Sequence, residues 1–515
     1  MLKSEWKKLQ NGSDIRGIAV PGVEGETVNL TDDVVNAIAR SFALWLSEKK
    51  QKAVNDLTVS VGHDSRISAP QLKKAVIKGL THMGAHVFDC GMASTPAMFM
   101  TTVTPGYSYD GAIMITASHL PYNRNGLKFF TNKGGLEKQD ITDILYMAQT
   151  GDFPQGKSQG KVTSIDFMSV YANILVEKIR EGVGHPQNRQ QPLKGFKIIV
   201  DAGNGAGGFF AHKVLEPLGA DITGSQFLEP DGAFPNHIPN PEDKQAINSI
   251  KEAVLKNNAD LGIIFDADVD RAGAVDKNGR EINKNRLIAL MATIVLEEAP
   301  GSIIVTDSVT STGLKTFIED KLGGYHHRFK RGYKNVINEA IRLNKEGKVC
   351  NLAIETSGHG ALKENYFLDD GAYLIAKILI KMAKLKLQEN KTIDSLLAGL
   401  AEPVESEEFR LNLLTDDFKE YGTNIISDLT RYAQDNDTWH VAPDNYEGIR
   451  VSFDENNGNG WFLLRMSLHD PLLPLNIESD SKDGVRQIVN KLMPFLSKYD
   501  KLDTTPLKNY LQKRE

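Results

Sequence analysis

The chain has 515 residues, of which 24% are charged and 41% hydrophobic, with a formal net charge of -6 and pI ≈ 6.1. That length exceeds what one core supports and predicts three or four domains. The composition excludes disordered and membrane classes. The mildly acidic balance offers no general basic surface, so neither nucleic acid nor a membrane is an expected partner.

From the start, residues 1–11 contain no apolar run, and the longest greasy stretch, 287–296, is about half a membrane span. No targeting or anchoring segment is expected. Cys90 and Cys350 lie far apart without CxxC spacing, which points to neither a disulfide nor a zinc site and fits a reducing, cytoplasmic setting. Three apolar β-branched runs lead into a Gly, Asp or Ser turn and then a helical pattern: LTVSVGHDSR from Leu57, FKIIVDAGNGAGG from Phe196 and SIIVTDSVTSTG from Ser302. Such units predict three serial α/β domains with mixed, mainly parallel sheets. The last hundred residues differ: IRVSFDENNGNGWFLLRMSL reads as two strands about an Asn/Gly turn, and VRQIVNKLMPFL as an amphipathic helix. A smaller C-terminal α+β domain therefore closes the chain. Polar joints place the domains at 1–160, 161–284, 285–402 and 403–515.

Four loops carry chemistry. After the apolar run AIMI comes Thr116-Ala117-Ser118-His119, where Ser118 is a candidate nucleophile or phosphate carrier. After LGIIF comes Asp266-Ala267-Asp268-Val269-Asp270-Arg271. Three carboxylates on alternate residues converge on one cation only in a bent loop, and all-oxygen ligands favour Mg²⁺. An EF-hand is excluded, because its sixth and twelfth positions would be Arg271 and Lys277 instead of Gly and Glu. After NLAI comes Glu355-Thr356-Ser357-Gly358-His359-Gly360. A carboxylate and a hydroxyl there suit vicinal sugar hydroxyls, and His359 suits a phosphate or a proton; the alternative is a helix capped by Ser357. Arg465-Met466-Ser467 ends a strand of the last domain and suits a phosphate held by a guanidinium fork. A fifth loop, Gly203-Asn204-Gly205-Ala206-Gly207-Gly208, satisfies GxGxxG, with Asp221 about where a ribose-binding acid would fall. Dinucleotide binding leaves the aspartate and Ser118 loops unexplained, so these glycines are read as a tight turn with close packing.

With these loops in this order, the chain resembles the α-D-phosphohexomutase superfamily over essentially its whole length. Further matches are Ser13-Asp14-Ile15-Arg16-Gly17, Gly62-His63-Asp64-Ser65-Arg66, Ser94-Thr95-Pro96, DGAFPNHIPNPE from Asp231 and Gly332-Tyr333-Lys334. The resemblance implies four domains around a central cleft and a hexose phosphate substrate. Ser118 would carry the phosphoryl group, and Asp266, Asp268 and Asp270 would bind Mg²⁺ with a phosphoserine oxygen. Arg16, Lys128 and Arg271 would neutralise the transferring phosphoryl, with Lys128 and His119 as candidate proton carriers. Glu355 and Ser357 would hold sugar hydroxyls, and Lys334, His359, Arg465 and Ser467 the non-reacting phosphate. It further implies a sugar bisphosphate as activator and a monomer or homodimer. Charge arithmetic agrees: three aspartates and a phosphoserine of about -2 exceed one Mg²⁺ by roughly three charges, so several cations must converge.

The chain departs from the family at Ser467-Leu468-His469-Asp470-Pro471, where most relatives have Ser-Gly-Thr-Glu-Pro or Ser-Asn-Thr-Thr-Pro, and at Ala267, where they prefer Gly or Pro. Its Ser-Gly-His resembles phosphomannomutases or dual-specificity members, while Gly-Tyr-Lys resembles the Gly-Trp-Lys of phosphoglucomutases. Phosphoglucosamine mutase, a sugar-phosphate binder with little turnover, and a phosphatase are the alternative readings.

Overall fold

Residues 2–154, 158–467 and 470–512 are described by a computed structural model, in which the chain divides into two units: Met1–Asn283 with Ser357–Leu396, and Lys284–Thr356 with Leu397–Glu515. In the first unit, the strand Gly111–Ile115 is buried at all five positions, as an apolar run without alternation requires of a central strand. It pairs in parallel with Thr58–His63, which is followed by His86–Met92 and Val162–Ser164, and antiparallel with Arg124–Thr131, beside which lies Asp14–Ile18. The helix Asp32–Lys50 covers this sheet with Val35, Ile38, Phe42 and Leu46 inward. Thr31 accepts from Val34 N at its start, Asp32 and Asp33 occupy its first turn and Lys49 and Lys50 its last, all favourable to the helix dipole.

A second sheet of the same unit pairs Ile198–Asp201 in parallel with Leu261–Phe265, which is antiparallel to Ala272–Asp276 and then Glu281–Ile282. Two functional loops thus differ from the strand-to-helix pattern. Residues 116–123 link antiparallel neighbours Gly111–Ile115 and Arg124–Thr131, and 266–271 close a hairpin in which Phe265 faces Ala272. The glycine-rich stretch from Gly203 leads into short 3₁₀ and π turns instead of an α-helix. The hairpin Gly360–Leu362 with Leu368–Asp369 and the helix Gly371–Glu389 complete this unit.

In the second unit, Ile303–Thr306 lies in parallel between Tyr325–Arg328 and Cys350–Ile354. The helix Lys284–Glu298 is buried continuously from Arg286 to Leu296, so the greasy stretch is a core helix. Among the described residues, no helix is long and apolar enough to cross a membrane. The remaining sheet is antiparallel, in the order Glu405–Asn412, Leu472–Ser479, Gly460–Leu464, Ile449–Phe453, His440–Val441, and buries its apolar face under Phe418–Gln434 and Gly484–Leu496. Both the Asn/Gly hairpin and the amphipathic helix are present. The fold is three serial α/β domains followed by a C-terminal region around an antiparallel sheet. Both cysteines are buried and free.

One acid in this last sheet is expected to make stability depend on pH. Glu478 accepts from Trp461 Nε1 at 3.1 Å, while the Arg450 guanidinium stacks 3.5 Å from the indole centroid. Burial pushes the Glu478 carboxyl up to about 7, against the pull of Arg450. Its folded pKa exceeds its unfolded value, so the folded state binds the extra proton and stability falls as pH rises from about 4.5 to 7. We expect Glu478→Gln to flatten that fall by at most about 1.4 kcal/mol per pH unit. Urea unfolding at pH 5, 6 and 7 checks it; identical slopes in both proteins would place the proton elsewhere.

Candidate active site

Ser118 stands in a left-handed backbone conformation, φ +50°, at the head of the 116–123 loop and is 7% exposed. Its N–H donates to Thr116 Oγ1 at 2.9 Å, and its hydroxyl donates to Asp266 Oδ2 at 2.7 Å. Arg271 Nη2 lies 3.3 Å from the same hydroxyl and donates to His119 Nδ1 at 2.6 Å. Burial, then Arg271 and Arg16, hold the His119 imidazole down at about 3, so the ring is neutral and its Nδ1 is an acceptor. Beneath the loop lies Arg66, 1% exposed, whose guanidinium reaches the carbonyls of Ser118, Leu120, Pro121 and Arg124. Asp64 takes Arg66 N at 3.0 Å and the Thr116 hydroxyl at 2.7 Å. The GxDxR match thus acts as the scaffold of the serine loop. Its only sequence signal was its place in the ordered motif set.

The three aspartates converge. One oxygen from each of Asp266, Asp268 and Asp270 lies within 4.8 Å of the others, and all three residues are buried. Val269 takes φ +66° between them, a rare conformation for a β-branched residue, so the bend depends on surrounding contacts. Lys128, 5% exposed, places Nζ 2.9 Å from Asp268 Oδ2 and in contact with Asp270 Oδ2. Thr95 donates its hydroxyl to Asp268 Oδ2 and its N–H to Asp268 O. Burial lowers Lys128, but Asp268 and Asp270 outweigh it and raise the ammonium well above its ordinary value. As placed, Lys128 is a fixed positive charge. Burial likewise opposes ionisation of Asp268, yet Lys128 and Thr95 prevail and hold it ionised. Asp266 is pushed well above the carboxylate range by burial and then by Asp270 and Asp268. Asp268 Oδ1 and Asp270 Oδ1 are buried without a hydrogen-bond partner. Converging buried carboxylates with unmet oxygens are what a divalent hard cation satisfies, so the loop fits Mg²⁺. Arg16 completes the cationic side, bonding the Thr116 carbonyl and Asp14 Oδ2 (3.0 Å) across from Gly126. Gly126 is obligatory there, since a Cβ would lie 2.1 Å from Ile15 O.

The glycine loop supports the metal loop. A Cβ on Gly205 would fall 2.6 Å from Ala267 Cα, and Ala206 N donates to Ala267 O at 2.8 Å. Asp221 sits beside Lys197, before the strand Ile198–Asp201, whereas Gly203 follows that strand. The acid and the glycines occupy opposite strand ends, so the fingerprint geometry is absent. Asp369, Asp370 and Gly371, which sequence reasoning missed, buttress the other side. Gly371 N donates to Val269 O at 3.2 Å, and Asp370 caps the following helix at Tyr373 N. His359 Nε2 lies 3.5 Å from Asp369 Oδ2 and 3.6 Å from Asp270 Oδ1. His359 and Ser357 therefore accompany the aspartate loop in the first unit. Ser357 caps no helix, because its loop leads into the strand Gly360–Leu362.

The second unit gathers the other predicted residues. Glu355 Oε1 accepts Gly332 N at 2.6 Å at the start of the helix Tyr333–Lys345, which carries Lys334 in its first turn. Glu447, another residue missed, accepts from the Ser308 hydroxyl at 2.6 Å and from Arg331 N at 3.1 Å. Arg465 is 6% exposed, and burial lowers its pKa from the ordinary value. Ser467 Oγ accepts Asp470 N at 3.1 Å. Leu468 and His469, at the centre of the departure from the family, lie outside the described residues.

Three family profiles match in series, described as phosphoglucomutase/phosphomannomutase, alpha/beta/alpha domain I over residues 7–154, domain II over 175–279 and domain III over 283–404. A phosphoglucomutase of Neisseria gonorrhoeae is 31% identical over 95% of this chain and 97% of its own length. A phosphomannomutase/phosphoglucomutase of Pseudomonas putida is 30% identical over 92% of both. The crystal structure of a phosphoglucomutase/phosphomannomutase family protein from Burkholderia thailandensis superposes with TM-score 0.77 at 27% identity, covering 96% of this chain and 98% of that one. The chain belongs to the phosphoglucomutase/phosphomannomutase family, the α-D-phosphohexomutases, isomerases that transfer a phosphoryl group within a sugar phosphate.

Proposed function

We propose that the enzyme interconverts hexose 1-phosphate and hexose 6-phosphate through a phosphorylated Ser118 and a sugar bisphosphate intermediate, acting on glucose and mannose phosphates. The contact that carries this reading is the Ser118 hydroxyl, 2.7 Å from Asp266 and 3.3 Å from the Arg271 guanidinium. A hydroxyl placed among buried aspartates and cations suits a phosphoryl carrier, because phosphoryl transfer is mostly positioning and electrostatic stabilisation. Asp266, Asp268 and Asp270, with a phosphoserine oxygen, would hold Mg²⁺, which supplies charge neutralisation at the phosphoryl group. Arg271, Lys128 and Arg16 add positive charge on the same side. Phosphoserine donates its phosphoryl to the free sugar hydroxyl, whose proton passes to Ser118 Oγ with Lys128 and His119 as the candidate carriers; the bisphosphate turns end for end and returns its other phosphoryl to Ser118, the proton going back to the sugar oxygen. Glu355 and Ser357 orient the sugar hydroxyls, and Lys334, His359, Arg465 and Ser467 hold the idle phosphate. A trace of bisphosphate activates by rephosphorylating Ser118.

The test supplies glucose, mannose and glucosamine 1-phosphates in turn, with Mg²⁺ and the matching bisphosphate, and follows 6-phosphate product and free phosphate together. Conversion of the first two without phosphate release is expected. Stoichiometric release of phosphate would make the enzyme a phosphatase, and preference for glucosamine would reassign the sugar. Asp268→Asn should raise the Mg²⁺ concentration for half-activation by about tenfold or more, because it replaces an anionic ligand by a neutral amide and ends the ion pair with Lys128. An unchanged Mg²⁺ titration would move the metal elsewhere.

A further inference from the structure

Asp270 offers its two oxygens to different neighbours. Oδ2 takes the Lys128 ammonium, whereas Oδ1 is buried, makes no hydrogen bond and lies 3.6 Å from His359 Nε2. Asp369 Oδ2 lies 3.5 Å from that same nitrogen. The other imidazole nitrogen, Nδ1, is 3.0 Å from Ser357 Oγ, which fixes the ring with Nε2 towards the carboxylates. One donor atom from each of Asp270, His359 and Asp369 lies within 4.8 Å of the other two. The backbone holds the three in place: Arg271 pairs with His359 in an antiparallel bridge, and Asp369 Oδ1 accepts Gly360 N at 3.0 Å.

Nitrogen–oxygen gaps of 3.5 and 3.6 Å exceed the hydrogen-bond range of roughly 2.7–3.2 Å. They approach the edge of a coordination tetrahedron, since metal–ligand distances of about 2.0–2.1 Å give edges of about 3.3–3.4 Å. An imidazole with two carboxylates is also a different donor set from the all-oxygen aspartate loop. It suits zinc-class ions, where Mg²⁺ prefers oxygen and keeps its water.

We infer that Asp270, His359 and Asp369 form a second divalent-cation site, selective for zinc-class ions, which abuts the triple-aspartate loop and shares Asp270 with it. Three protein ligands leave a fourth position open. Because Asp270 serves both sites, zinc here weakens Mg²⁺ binding in the loop, and by linkage Mg²⁺ weakens zinc. Zinc and Mg²⁺ therefore oppose one another through Asp270, and only the difference in donor set lets zinc hold its site against excess Mg²⁺.

Equilibrium dialysis of the full chain against zinc in excess Mg²⁺, with zinc-edge X-ray absorption on the loaded protein, tests this without any turnover, so its outcome is independent of the mutase reading. Zinc retained with an imidazole nitrogen in its shell is expected. His359→Asn and Asp369→Asn should each weaken zinc by about tenfold or more, and Asp266→Asn, which alters the loop alone, should weaken it less than either. Thermal melts confirm folding of each variant, and the absorption spectrum of the unmodified chain needs none of them. A shell of oxygen only, or zinc affinity that follows Asp266→Asn and ignores His359→Asn, would overturn the second site.

Discussion

Ser118→Ala is expected to leave a folded chain with turnover lower by about four orders of magnitude or more, the scale of removing a covalent nucleophile. The fold survives because Ser118 lies on a loop between intact strands, and the left-handed φ of +50° is no worse for alanine than for serine. The loss to stability is about 1 kcal/mol, one hydrogen bond to a carboxylate that still accepts from Arg271 Nε at 3.1 Å. Turnover is expected to disappear because, among the described residues, no other hydroxyl is hydrogen-bonded to both Asp266 and Arg271. Steady-state rates beside a urea melt check both halves. Wild-type turnover in the variant would remove Ser118 from the chemistry.

Arg66→Ala should cost both stability and activity. Its guanidinium is buried beside Asp64 and serves four carbonyls of residues 118–124. Removing it strands those carbonyls and a buried carboxylate, a defect of about 3–5 kcal/mol. It also frees the loop that positions Ser118, where a displacement of about 1 Å is worth roughly a hundredfold in rate. Arg66→Lys should rescue little, because one ammonium cannot span carbonyls on both arms of the loop. Denaturant unfolding and kcat measured together decide the matter, and near-normal values of either in the alanine variant would show that the loop holds itself.

Much of the site was legible because its chemistry is written in contiguous loops after apolar runs. Asp266, Asp268 and Asp270 lie on alternate residues of one loop and come together in space, and Ser118 and His119 are neighbours in both. What escaped reading depends on contacts between distant segments. Nothing local to Arg66 shows that its side chain ends under residue 118, and nothing local to Thr95 shows that it meets Asp268. Nothing local to His119 shows that its Nδ1 accepts from Arg271, 152 residues away. Nothing local to Lys128 shows that its ammonium sits between Asp268 and Asp270. GxGxxG was ambiguous for a related reason: glycine permits close approach to phosphate or to backbone alike, and the position of Ala267 against Gly205, with Asp221 at the other strand end, distinguishes them. The hairpin nature of both loops was hidden because an apolar run states burial, not the direction of its neighbour.

The most direct test of the central claim is phosphoryl transfer to the chain itself. The enzyme, dephosphorylated, is mixed with ³²P-labelled glucose 1,6-bisphosphate, digested and mapped, and a second sample is chased with unlabelled glucose 6-phosphate. One label per chain on Ser118, returned to the sugar in the chase, is the predicted result. Absence of label, label on another residue, or label that the sugar cannot remove would contradict a phosphoserine mutase.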